Sequence, residues 1–547
     1  MTRRFLSSLG ALLSTSAAAL ACTSLIATKG ATTDGSVMIT YAADSHTLYG
    51  DMPSLPAADH KPGATRRVVD WDSGRYLGEI AQPAHTYARI GHINSEGVAM
   101  AESTWGGREE LWEGPGVIDY GSLIYITLER AATAREAVKI MTDLVEEYGY
   151  VSEGESFSVA DPDEAWIVEM IGKGKERKGA VWVARRIPDG YISGHANNPR
   201  IHQFPLDDPE NTLYSPDVIS FAREMGYYEG PDSLFSFSRA YQPYDHGALR
   251  GCDARVWSYF TRFAPEAAAP SLGWAMNGEG DPMPLWVKPE KPVDIRSMQW
   301  MMRDHYEGTP MDMTTDIGAG PFDVPYRWRP MNWEVDSVEY FHERAIATQQ
   351  TGFSFVAQLS DKVPAGMKGT LWFGCDDANT CVYTPVYSAQ TEVPLCYREG
   401  NGNLYEISRT ASFWACNMVA NQAYNRYSQM IPDIRAVQQE LEDGCAARHE
   451  QLKAELASAT PEEQARALTE ASCSLGDDAT ARMFALNDFL TVKFLDGNIK
   501  KQNPDGSFRR TETGLPEQPE FGGYNDRYFR SIVNETGSKF KTNKEIR

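Results

Sequence analysis

Cys22 is the residue whose chemistry and setting stand out first. Arg3 and Arg4 open the chain, Phe5 to Leu20 is apolar and uncharged, and Ala19-Leu20-Ala21 fits the A-x-A pattern cut by signal peptidases. Cleavage there is expected to leave Cys22 at the head of the mature chain. An N-terminal cysteine carries its own base. A free thiol has a pKa of ~8.5 and an α-amino group ~7.7–8.0, so near neutral pH a proton passes from sulfur to nitrogen at little cost. The chemistry this permits is nucleophilic attack on a carbonyl carbon without a distant histidine. A lipid-anchored surface protein also begins at a cysteine, but its signal needs a large aliphatic residue three positions earlier, where this chain has Ala19.

The elements that must hold such a thiol are legible around it. Cys22 to Thr28 is rich in β-branched residues, Thr33-Asp34-Gly35 is a turn signal, and Ser36 to Tyr41 reads as the returning strand. Asp44 follows that strand, in a position to come back beside Cys22. His92 to Thr104 reads as strand, turn at Asn94–Gly97, and strand. Residues 121–148 carry an apolar helical face interrupted at Thr133, a plausible cap, which predicts two helices. A further hairpin spans Phe157–Ala160 and Ala165–Met170, followed by a strand at Ala180–Ala184. Strands, then helices, then strands predict an α+β layered fold with antiparallel sheets. After residue 440 the pattern turns helical at Val437–Glu442, Ala446–Ala457 and Ala479–Leu495, with Thr460-Pro461-Glu462-Glu463 as a helix start. The expected organisation is a signal peptide (1–21), a catalytic domain (22–440) and a helical extension packed on the same domain (441–547).

Composition narrows the function. A net charge of -23 disfavours nucleic-acid phosphates and anionic lipid as partners. With 42% hydrophobic residues, a substantial core is expected rather than a disordered chain. Beyond the leader no apolar run is long enough to span a membrane. There is no CxxC, HExxH, GxSxG or GxxxxGK[ST] motif; His342-Glu343-Arg344 lacks the second histidine of a zinc peptidase. No metal or cofactor is expected. Cys375 and Cys381 flank a turn-rich stretch and read equally as a disulfide or as two buried thiols. Arg303-Asp304-His305 looks catalytic but reads better as a helix end packed under the site.

Several segments, taken in order, resemble the dipeptidase A and secernin family of cysteine peptidases, within the N-terminal nucleophile (Ntn) hydrolases. They are Cys22-Thr23-Ser24, Asp34-Gly35-Ser36, Asn94-x-x-Gly97-Val98, Ala196-Asn197-x-x-Arg200-Ile201, Met302 to Thr309, Gly318 to Pro321, Thr348 to Thr351, Leu371 to Gly374 and Tyr424 to Asp433. The resemblance implies a four-layer αββα sandwich of two antiparallel sheets between helices, with C-terminal helical additions. It implies hydrolysis of dipeptides through a thioester on Cys22. Asp44 occupies the active-site Asp place. Asn197 matches the residue whose amide helps hold the oxyanion, Arg255 an active-site Arg, and Thr104 an oxyanion-side position. Tyr41 stands where relatives in the wider clan carry Arg. Short peptides are the expected partners, a homo-oligomer is compatible, and the expected location is periplasmic or extracellular. An amidase acting on acylated amino acids or β-lactams, and a lipidated protein that binds peptides without cutting them, are the alternatives.

Overall fold

The computed structural model describes residues 22–542, so the signal-peptide expectation lies outside the described residues. Two large antiparallel sheets organise the chain, as an α+β reading requires. The first, among the described residues, has seven strands in the order Trp286–Val287, Ile192–His195, Ser24–Ala27, Val37–Asp44, Thr351–Leu359, Gly369–Cys375 and Thr384–Tyr387. The expected first hairpin is present, with Ile26 opposite Ile39 and Ala27 opposite Met38. The second has eight strands, in the order Thr212–Tyr214, Ala180–Arg186, Ala165–Gly172, Gly154–Ala160, Ala99–Gly106, Ile93–Asn94, Arg89–Ile90 and Ser54–Leu55.

Alternation along the strands decides what each face covers. On Val37–Asp44, Ile39, Tyr41 and Ala43 join Ala99, Ala101, Ile167 and Val183 of the second sheet in one apolar cluster. Met38 and Ala42 point the other way, toward Trp257 and Phe260 of the helix Ala254–Phe263 and Met483 and Leu486 of the helix Pro461–Lys493. Against the far face of the second sheet, Phe157, Val159 and Val168 pack on the helices Tyr120–Leu128 and Ala134–Tyr148. Thr133 caps the latter helix, its side chain accepting from Glu136 N.

The C-terminal helices differ from expectation: Val437–Glu442 and Ala446–Ala457 are parts of one helix, Tyr427–Glu455, and Asp526–Thr536 adds a further one. The segment Ala479–Leu495 is not a separate helix; Pro461–Lys493 is continuous, started by a full capping box at Thr460 and Glu463. Its buried stripe runs unbroken through Leu468, Ser472, Gly476, Ala479, Met483, Leu486 and Leu490, so packing overrides the weak helix propensity of residues 472–476. A Cβ at Gly476 would lie 3.0 Å from Cys396 Sγ, so glycine allows this close approach. The helix Tyr427–Glu455 runs through residue 440 without a break. All eight cysteines are free thiols, which resolves Cys375 and Cys381 as unpaired; Cys375 Sγ contacts the Gly50 carbonyl at 3.1 Å.

Candidate active site

The backbone fixes the thiol first. Thr23 N donates to Ala42 O at 3.2 Å and Ala42 N to Thr23 O at 2.9 Å. This ladder step, just ahead of the strand Ser24–Ala27, sets Cys22 beside Tyr41 and Asp44. Cys22 is only 2% exposed. Its Sγ lies 3.9 Å from Tyr41 Oη, and the Asp44 N–H also reaches the sulfur. Burial raises the thiol pKa well above its ordinary value, reinforced by the charges of Glu102 and Asp44 and opposed by the Asp44 N–H.

Asp44 ends its strand with no exposed surface. Its carboxylate accepts from Thr351 Oγ1 at 2.6 Å and forms a buried ion pair with Arg344. Burial still raises its pKa, outweighing the lowering by Arg344 and Thr351.

Arg255 enters from the first turn of the helix Ala254–Phe263, directly after a widened helical turn at Leu249–Asp253. Such widened turns re-aim side chains. The guanidinium is fully buried and donates to Cys22 O at 2.6 Å, Thr23 Oγ1 at 2.7 Å, Asn197 Oδ1 at 2.8 Å, Gly251 O at 3.0 Å and Ala196 O at 3.3 Å. Burial, with Arg344 nearby, pushes its pKa down to about 10. Asn197 follows the strand Ile192–His195 with φ of 52°, a left-handed conformation that Asn tolerates better than most residues. Because Arg255 only donates, Oδ1 must face it; Nδ2 donates to the Thr104 carbonyl.

The structure thus brings Cys22, Asp44, Asn197 and Arg255 together, and Thr104 joins them through its carbonyl. The Thr104 hydroxyl turns away, donating to Glu155 Oε1 at 2.7 Å. Sequence reasoning missed Arg344, which lies 300 residues beyond the Asp44 it pairs with, and the buried carboxyls Glu102 and Glu155. No local motif marks any of the three. Among the histidines near matched motifs, His195 is locked between Ser103 Oγ at 2.6 Å and Ser158 Oγ at 2.9 Å. Burial pushes its pKa down to about 3, which unsuits it as a base near neutral pH. Asp304 is held by Ser258 and Arg262, and His305 by Glu307, as structural groups.

Beside these residues opens a cleft of about 830 Å³, within the size range of small-molecule sites. Asn197, Arg255 and Arg344 line one side; the hairpin formed by Asn332–Val335 and Val338–Phe341 lines the other. Among the described residues no group of three or more His, Cys, Asp or Glu is placed to hold a metal, and no helix is long and apolar enough to cross a membrane.

A buried cysteine held among a carboxylate, an amide and two guanidiniums suggests a hydrolase. The comparison with known families agrees, for the family model described as Peptidase family C69 matches residues 21–440. The chain belongs to peptidase family C69. The C69 match begins one residue before Cys22 and ends within the helix Tyr427–Glu455, so every residue of the cluster lies inside it. Similar curated proteins include a probable dipeptidase of Salmonella dublin, 25% identical over 67% of this chain and 81% of its own length. A probable dipeptidase of Latilactobacillus sakei is 24% identical over 69% and 76%. Dipeptidase A of Lactobacillus helveticus is 23% identical over 74% and 82%.

Proposed function

We propose that this C69 peptidase is an exported dipeptidase that uses Cys22, freed by removal of residues 1–21, as an N-terminal nucleophile on a four-layer αββα Ntn-hydrolase sandwich. The observation that carries the reading is the convergence of Cys22, Asp44, Asn197 and Arg255 from distant parts of the chain onto one buried point beside a cleft. In this reading the Cys22 α-amine takes the thiol proton and the thiolate attacks the peptide carbonyl carbon. Negative charge develops on the carbonyl oxygen, where the Asn197 amide, oriented by Arg255, stabilises it. The C–N bond breaks as the Cys22 ammonium returns its proton to the leaving amine. The remaining thioester is hydrolysed by water, with the same amine as base. Asp44 supplies negative charge near the ammonium, and Arg344 and Thr351 work against the burial that raises its pKa.

The test is release of free amino acids from a panel of dipeptides, tripeptides, acyl amino acids and penicillin V, with the mature N-terminus read by intact mass. Dipeptide turnover by a chain beginning at Cys22 with a free amine is expected. Turnover confined to acyl amino acids or penicillin V would move the protein to the amidases. A diacylglyceryl mass on Cys22 would mean that its sulfur is tied up as a thioether, which removes the nucleophile and the mechanism with it.

A further inference from the structure

Behind the thiol lies a feature the mechanism does not use. Tyr41, Glu102 and Glu155 are buried, at 3%, 1% and 0% exposure. The Tyr41 hydroxyl donates to Glu102 Oε1, and Cys22 Sγ approaches the same hydroxyl at 3.9 Å. Glu102 and Thr104 project from one face of the strand Ala99–Gly106, and Glu155 stands opposite Thr104 on the neighbouring strand. Hydrogen bonding between the two carboxyls lowers the Glu102 pKa and raises that of Glu155. Glu102 Oε2 and Glu155 Oε2 have no other partner.

Donor counting fixes the arrangement. Two adjacent buried carboxylates cannot both stay ionised at little cost. One proton shared between Glu102 and Glu155 leaves the pair with a single negative charge. That charge accepts the only proton of Tyr41. The phenol oxygen then has lone pairs alone to offer Cys22 Sγ, and lone pairs accept from S–H but repel a thiolate. We propose that Tyr41, held by the Glu102–Glu155 pair, is a positioning residue that aims the Cys22 thiol and keeps it protonated until the α-amine takes its proton. The inference rests on the nucleophile assignment above.

The charges around the thiol agree in direction. Burial raises both carboxyl pKa values; the Glu102 charge raises Glu155 further, while hydrogen bonds from Tyr41, Glu155 and Cys22 pull Glu102 back down. Glu102 in turn raises the thiol, second only to burial itself. Glu102 also raises the thiol through a direct hydrogen bond, and the other groups facing the chain include Tyr120 from the helix Tyr120–Leu128, Tyr150, Asp72 and Glu153 around the carboxyls, and Asp44 beside the sulfur. Arg255 and Arg344 engage the backbone and side chains of Cys22, Thr23 and Asp44 on the other side.

The experiment measures the pH midpoint of Cys22 alkylation by iodoacetamide, followed at the Cys22 peptide by mass spectrometry, in the mature protein. Glu102→Gln keeps an acceptor for Tyr41 and moves the pair's charge onto Glu155, on the neighbouring strand and away from the thiol. Its midpoint is expected to fall by about one pH unit, roughly a tenfold rise in the thiolate-to-thiol ratio. Tyr41→Phe keeps the ring packed against His92, Phe353 and Phe355 and removes the acceptor, so its midpoint should fall as well. Glu155→Gln leaves the Glu102 charge and a donor to it, and should shift the midpoint less than half as far. Wild-type midpoints in folded Glu102→Gln and Tyr41→Phe would overturn the proposal; should Glu102→Gln not fold, Tyr41→Phe decides alone. Alkylation needs no peptide hydrolysis. Shifted midpoints in a protein that cleaves no dipeptide would therefore sink the dipeptidase reading and leave this inference standing.

Discussion

Asn197→Ala separates chemistry from architecture at this site when it is paired with Asn197→Gly. Both variants lose the amide, and with it the bonds to Arg255 and the Thr104 carbonyl. The first, with a charged donor, is worth about 1.5–3 kcal/mol, and the second about 1 kcal/mol. Alanine adds a further cost of about 1 kcal/mol, because φ of 52° is left-handed backbone that glycine adopts freely and alanine does not. In urea unfolding the alanine variant should therefore be the less stable of the two. In kinetics they should agree. Loss of one preorganised oxyanion donor lowers kcat by about 10²–10³, or roughly 2.7–4 kcal/mol. KM should change much less, since the neutral carbonyl gains little from that donor. The assay is steady-state release of amino acid from a dipeptide over a full substrate range. If Asn197→Gly retained wild-type kcat, the alanine effect would be backbone displacement and the oxyanion role would be lost. A change in KM alone would refute it equally. Asn198→Ala, whose amide is instead bonded to Asp253 at 2.9 Å, should be milder on kcat.

Cys22→Ala should abolish hydrolysis and Cys22→Ser should leave only a trace, because a hydroxyl is far harder to deprotonate than a thiol; near-wild-type turnover by the alanine variant would rule out the nucleophile. Arg344→Met leaves the Asp44 charge buried without its partner and should cost about 3–5 kcal/mol in urea unfolding. The double variant with Asp44→Asn should recover part of that loss, and a double variant no more stable than the single would show that the pair is not coupled. His195 is held neutral, with its pKa pushed down to about 3 by burial. Between the unfolded value of ~6.5 and about 3, only the unfolded chain binds that proton, so stability is lost as pH falls through this window. Urea midpoints from pH 7 to pH 4 should fall less steeply in His195→Gln than in the wild type, and identical slopes would contradict the assignment.

The parts of the fold legible in the sequence are those specified locally. The hairpin through Asp34-Gly35, the Thr133 cap and the Thr460 capping box all follow from turn and cap chemistry within a few residues. The continuity of Pro461–Lys493 was not legible, because the apolar pattern reads as helix from Ala479 onward, while the structure carries the buried stripe through Ser472 and Gly476, where Gly476 lies close to Cys396. Asp44, Asn197 and Arg255 were identified through resemblance in segment order, and the structure gives each a physical partner. Arg344 lay in a triplet considered only as a failed zinc motif. Its pairing with Asp44 is purely tertiary. Glu102 sat in a segment that read as ordinary strand, and Glu155 lay just ahead of the expected strand Phe157–Ala160; alternation along either says nothing of a second carboxyl beside the first.

The spacing of the site along the chain also sets a timetable for the protein's birth. Arg255 bonds the Cys22 carbonyl across 233 residues, and Arg344 and Thr351 reach Asp44 across 300 and 307. Thr351–Leu359 is moreover the strand that joins Val37–Asp44 to Gly369–Cys375 in the middle of the first sheet. At about 5–20 residues per second, the ribosome delivers the partners of Asp44 roughly 15–60 s after Asp44 itself. Throughout that interval the segment holding the cysteine has neither its guanidiniums nor its central neighbour strand. The fully bonded Cys22 cluster is therefore a late product of synthesis, and recovered activity in refolding should trail the return of helix and sheet signals.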